Sequence, residues 1–152
     1  MPLDHDWIAQ RIPHHGAMCL LDRVLRWDES AIVCAANNHR QADHPLRAHG
    51  RLSATCGIEY AAQAMAVHGA LLAGVGADPA APRIGMLTSV RGIALHVGRL
   101  DDVDGELSIE ARRVAGDRTA IAYEFSLHAG ERALLSGRAT VILDAGASGE
   151  DR

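Results

Sequence analysis

The stretch Leu52-Ser53-Ala54-Thr55-Cys56-Gly57-Ile58-Glu59-Tyr60-Ala61-Ala62-Gln63-Ala64-Met65-Ala66-Val67-His68-Gly69-Ala70-Leu71-Leu72-Ala73 decides the fold. It reads as a helix. Ser53 is a natural N-cap, because its hydroxyl accepts from an early free N–H. Gly74 and Gly76 supply residues that end a helix in the left-handed conformation. Between them nearly every face is apolar, which predicts a buried helix rather than an amphipathic one. The run is too short for a membrane span and is interrupted by Glu59, Gln63 and His68. Its side chains are mostly Ala and Gly, so the expected partner lies close to the backbone: a sheet that wraps the helix. Gln63 falls one turn after Glu59 on the same face. A carboxylate in such a helix is costly unless it is paired or kept for chemistry.

The chain around this helix has 152 residues, the size of one domain with its own core. That domain is expected over residues 1–144. A Gly, Ala, Ser and charged tail at 145–152 is read as disordered. A net charge of −4 argues against nucleic acid and anionic membrane as partners. Cys19, Cys34 and Cys56 are odd in number and sit in apolar segments, so they read as reduced buried thiols. The first residues are acidic, with no basic region leading into an apolar run. No secretion signal is read there, and a cytoplasmic protein is expected.

Working outward, residues 6–11 suit one helical turn. Residues 12–18 contain Pro13 and Gly16 and read as a loop. An apolar run at 19–25 leads into a turn expected at 26–30, with Asp22-Arg23 read as an ion pair or a surface feature with a structural role. Residues 31–36 form a short buried strand. Residues 37–51 are polar, hold His39, His44 and His49, and feed the helix start; ordered loops of this length are often functional. Beyond the helix, residues 75–82 read as a loop. Residues 84–97 read as a long strand that bends at Gly92. Alternating residues around Leu107-Ile109-Ala111 and Ile121-Tyr123-Phe125-Leu127 give two half-buried strands, and residues 133–143 give a last one containing Gly137. Turns at Gly116-Asp117 and Gly130-Glu131 make these antiparallel hairpins. The fold class is therefore α+β, an antiparallel β-sheet wrapped around one long central helix, which is the hotdog fold. An exposed edge strand in such a sheet predicts dimerisation by edge pairing.

Two segments carry a family resemblance. Ile12-Pro13-His14-His15-Gly16-Ala17-Met18-Cys19-Leu20-Leu21-Asp22-Arg23-Val24 resembles the opening of the hotdog 3-hydroxyacyl-[acyl-carrier-protein] dehydratases: Pro-His, an apolar run, then Asp-Arg-Val. Gly57-Ile58-Glu59-Tyr60-Ala61-Ala62-Gln63 resembles their central helix. Within that superfamily, Gly50-Arg51-Leu52 ahead of the Gly-Ile-Glu-Tyr run is most similar to the ApeP-like group of aryl-polyene biosynthesis. The match departs at one place. The usual His-x-Pro-Gly segment is replaced by His44-Pro45-Leu46-Arg47, the second Pro-Gly is absent, and the interval from His44 to Glu59 differs by one residue.

The resemblance implies a lyase that removes water from a 3-hydroxyacyl thioester to give a trans-2-enoyl thioester. Such chemistry needs a base for the α-proton, an acid for the departing hydroxyl and donors for the thioester oxygen. The nearest match makes His44 and Glu59 the catalytic pair, with His49 and His14 as alternative or site-lining imidazoles. A carboxyl in an apolar helix is easier to protonate, so it can donate a proton or hold the leaving water. N–H groups around Ala54, Thr55 and Cys56, with Gln63, are the expected oxyanion or substrate contacts. The other histidines read as structural or surface groups. Nine histidines show no pair with ligand spacing, so no metal is expected. No cofactor is expected either; the substrate rides on the phosphopantetheine of an acyl carrier protein or on CoA. Two rivals stand beside this expectation: a hotdog acyl thioesterase using Glu59, and a non-catalytic subunit paired with an active dehydratase. The partners implied are the carrier or CoA thioester and a second hotdog subunit, in a homodimer or heterodimer.

Overall fold

The computed structural model describes residues 3–12, 14, 16–76, 83–117 and 119–144. The order of elements is helix α1 (His5–Ala9), strands β1 (Arg23–Trp27) and β2 (Ala31–Ala36), helix α2 (Gly57–Gly76), then strands β3 (Arg83–Leu95), β4 (Leu107–Gly116), β5 (Ala120–Ala129) and β6 (Arg132–Asp144). The six strands form one sheet in the order β1-β2-β4-β5-β6-β3, with every neighbouring pair antiparallel. The sheet curves around α2. Leu107, Ile109 and Ala111 of β4 and Ile121, Tyr123, Phe125 and Leu127 of β5 point inward onto the helix, and the residues between them stay partly open. This is the alternation of strands with one wet face. The expected tail at 145–152 lies outside the described residues, as do residues 77–82 of the expected loop.

The start of α2 follows the sequence with one adjustment. Ser53 caps as expected: its Oγ accepts from Thr55 N. The first turn, Ala54–Cys56, is a 3₁₀ turn, and the α-helix proper begins at Gly57. Close packing explains the glycine there. A Cβ on Gly57 would lie 2.4 Å from Leu135 Cδ2 and 3.1 Å from Leu127 Cδ2. At its other end the helix runs through Val75 and Gly76, further than expected.

Three expectations are corrected. The helix is not buried all round: Glu59, Ala62, Ala66, Ala70 and Ala73 form a half-open stripe at helical spacing. Ala-rich helices hide this stripe from sequence reading, because its residues are as apolar as those facing the sheet. The turn expected at 26–30 is shorter, since Arg26 and Trp27 belong to β1. Asp28 makes that turn by accepting from Ser30 N and Ala31 N. Arg23 also takes a different partner from the adjacent Asp22: its guanidinium meets both carboxylate oxygens of Glu106 at 2.8 and 3.0 Å.

The two sheet edges differ. Beside β1, Asp4 bridges to Arg23 and Leu3 O accepts from Val24 N, while a bulge interrupts the register between Val24 and Arg26. At the other edge, β3 is 13 residues long and, among the described residues, pairs only with β6. The bend expected at Gly92 is present: its φ is +64° and the β3–β6 register slips between Arg91 and Ala94.

Candidate active site

Glu59 lies in the first turn of α2, and its Oε2 is 2.9 Å from His14 Nε2. His14 comes from the segment before β1, between buried Ile12 and the 3₁₀ turn Gly16–Met18. That segment is held on the helix by Gln63. Gln63 Oε1 accepts from Leu20 N at 2.8 Å, and its Nε2 donates to Met18 O at 2.7 Å and to Glu59 Oε2 at 3.4 Å. The His14 and Glu59 side chains keep 27% and 35% of their surface exposed, so solvent or a ligand reaches the pair. With Glu59 ionised, His14 Nε2–H is the donor and the lone pair sits on Nδ1. His14 Nδ1 is shut from solvent and has no partner among the described residues.

His44 is elsewhere. It is 4% exposed and does not meet Glu59. Its Nδ1 accepts from Leu46 N at 3.0 Å, so its Nε2 carries the hydrogen and donates to Tyr60 Oη at 3.0 Å. The Tyr60 hydroxyl passes its own hydrogen to Asn38 Oδ1 at 2.6 Å. Both ring nitrogens are used. Burial lowers the pKa of this imidazole, and Arg47 nearby acts in the same direction. Tyr60 follows Glu59 directly, and adjacent helix residues do not face one another. The two carry separate networks on separate faces of α2.

His49 is exposed at a loop tip. Ala48 and Arg51 exchange both backbone hydrogen bonds, and His49 (φ 55°) and Gly50 (φ 78°) fill the positions between them. That is a type I′ turn. The expected oxyanion donors are already engaged. Ala54 N donates to Gly98 O at 3.1 Å, Thr55 N to Ser53 Oγ at 3.3 Å and Cys56 N to Ser53 O at 3.0 Å. The Cys56 thiol is half-buried and its pKa is raised by burial, so it stays protonated.

A family model described as "ApeP-like: ApeP dehydratase" matches residues 7–148. This chain belongs to the ApeP-like dehydratase family. The ApeP-like chain shares its fold with a chain of the dehydratase heterocomplex ApeI:P from Xenorhabdus doucetiae. The TM-score is 0.79 at 21% identity, covering 94% of this chain and 91% of that one. AziG of S. sahachiroi follows at TM-score 0.62 and 16% identity, over 83% of this chain and 91% of that one. The thioesterase HI1161 from Haemophilus influenzae gives TM-score 0.58 at 11% identity, over 80% and 76%. No curated protein matches the chain. These likenesses place the ApeP-like chain among hotdog proteins, and its family is one of dehydratases.

Two features of the site region escaped sequence reading. Tyr60 and Asn38 complete the His44 network, and the helix motif already contains Tyr60 beside Glu59. Asp101 is the second. Its carboxylate accepts from Leu52 N at 2.9 Å and pairs with Arg99, pinning the loop ahead of α2. Arg99 holds the Asp101 carboxyl well below the usual carboxylate range. Among the described residues no helix is long and apolar enough to cross a membrane.

Proposed function

We propose that this chain removes water from a 3-hydroxyacyl thioester, carried on acyl carrier protein or CoA, with His14 and Glu59 as its acid–base pair. The observation that carries this reading is the 2.9 Å His14–Glu59 contact at the start of the central helix of an ApeP-like dehydratase. In this scheme His14 Nε2–H holds Glu59 Oε2, and Oε1 is left to the substrate as the base. Glu59 takes the proton from C2 of the substrate, and negative charge moves onto the thioester oxygen. The C3–O bond then breaks, the C2=C3 double bond forms, and the carboxyl returns its proton to the departing hydroxyl as water. His14 orients the carboxylate through Nε2; its Nδ1, shut from solvent, does not meet the substrate.

The two occupied nitrogens of His44 support His14 over it in this role. That is a change from the pairing which the motif alone favours. The reading also places the chain in a pair of hotdog subunits. The open β3 edge and the half-open alanine stripe of α2 support a second subunit, and the solved ApeI:P protein, a heterocomplex, supports a non-identical one.

The test is enoyl product formation from a 3-hydroxyacyl carrier-protein substrate and from its CoA counterpart. Wild type, His14→Asn, Glu59→Gln and His44→Gln are compared, each alone and with a candidate partner subunit. Losing a general acid–base group lowers turnover about 100-fold or more, so His14→Asn and Glu59→Gln should both fall that far. His44→Gln should lower stability more than turnover. Full activity in His14→Asn would overturn the pair. Release of free acid in place of enoyl product would move the assignment to a thioesterase.

A further inference from the structure

We propose that Gln63 is the positioning residue of this site, carrying the His14 segment on α2 and aiming the Glu59 carboxylate at His14 Nε2. This rests on the dehydratase reading of the His14–Glu59 pair. The sequence alone suggested Gln63 as a substrate contact. The structure removes it from that role: the side chain is 0% exposed and every polar group it carries is already engaged.

The orientation of the amide is determined by its partners. Leu20 offers an N–H and Met18 offers a carbonyl, so the oxygen must face the first and the nitrogen the second. The first Nε2 hydrogen goes to Met18 O. The second is directed at Glu59 Oε2, the same oxygen that receives His14 Nε2–H. Met18 and Leu20 lie four and six residues after His14, so the anchor is short. Gln63 also lies one helical turn from Glu59. One amide therefore fixes both halves of the pair: the arm bearing the imidazole and the rotamer of the carboxylate. An apolar side chain of the same length would fill the space and fix neither.

Two readouts test this. In ¹⁵N-histidine spectra of the wild type, His14 should show one fixed Nε2–H tautomer. Gln63→Met should give an exchanging mixture, and turnover should fall by up to about 100-fold, as for a misplaced catalytic group, with KM nearly unchanged. A folded Gln63→Met protein that keeps the single tautomer and full kcat overturns the proposal. If Gln63→Met does not fold, the side-chain amide of Gln63 is followed in wild type and in Glu59→Gln. One of its two Nε2 protons should shift when the carboxylate is removed, and an unchanged pair of signals overturns the proposal. An inactive wild type would sink the dehydratase reading, while the spectra would still decide whether Gln63 organises the pair.

Discussion

His44 accepts a backbone N–H at Nδ1, and His14 does not. That bond, with the one to Tyr60, makes His44 a structural imidazole, whereas His14 turns its Nε2 to the Glu59 carboxylate. The family resemblance makes His44 the nearest match to the usual base and has no means of registering Leu46 N. The Pro-His motif holding His14 was legible. Its meeting with Glu59 was not, since it depends on Gln63 bonding to a segment more than 40 residues earlier. Glu59 stands out in the sequence as the one acid of the helix, and in the structure it is half-open and paired with His14. Tyr60→Phe tests the other network. It strands Asn38 Oδ1 and the Nε2–H of His44, and should cost about 1–3 kcal/mol in chemical denaturation while sparing turnover. His49 gives a second test at this scale. A left-handed φ is unfavourable for His, and Asn-Gly is the preferred pair in a type I′ turn, so His49→Asn should stabilise by about 0.5–1 kcal/mol. Turnover should survive, and its abolition would return His49 to the site.

At the scale of elements, the helix was readable because its cap and its small side chains agree, while Gly74, read as a terminator, lies inside it. β1 was harder to delimit: five residues on an edge, with a bulge, break the alternation that marks a strand. The hairpin strands β4 to β6 followed their period of two. Gly137 is a close approach within them. A Cβ there would lie 2.5 Å from Ile93 Cδ1 and 2.9 Å from Phe125 Cζ. Gly137→Ala should therefore lower stability by about 1–3 kcal/mol, seen as a lower Tm. Buried histidines tie elements together in a way that depends on pH. His68 of α2 accepts from Tyr123 Oη of β5 and donates to Asp28 O in the β1–β2 turn. His39 donates to Val103 O, and His44 holds the loop before α2. Burial lowers the pKa of all three from the ordinary value of 6.5. Unfolding restores their basicity, so the unfolded chain binds more protons below that pH and stability falls as pH falls. Asp101 acts in a lower window: its depressed carboxyl contributes at neutral pH and is lost only as pH drops below about 4. Urea denaturation at about pH 7.5 and about pH 5 should show the histidine loss alone. Equal stabilities would contradict it.

Across the whole molecule, the wrapped helix was legible because an apolar α-helix and a run of half-buried strands have few ways to cover each other. The difference between the two sheet edges was not legible. It depends on residues 3–4 reaching β1, which no periodicity announces. Strand-to-strand growth of a sheet requires two usable margins on every subunit, so that each addition leaves another behind. Here one margin is occupied at Arg23 and Val24 and kinked just beyond them. Two β3 strands meeting about a two-fold axis consume each other and leave nothing to extend. The mass in solution should therefore stop at two subunits however concentrated the sample, as light scattering would show, and longer assemblies would mean that the β1 margin opens. Leu3 and Asp4 at the start of β1 thus act as a brake on fibre formation, a safeguard for a chain with one of its two 13-residue strands at an open edge.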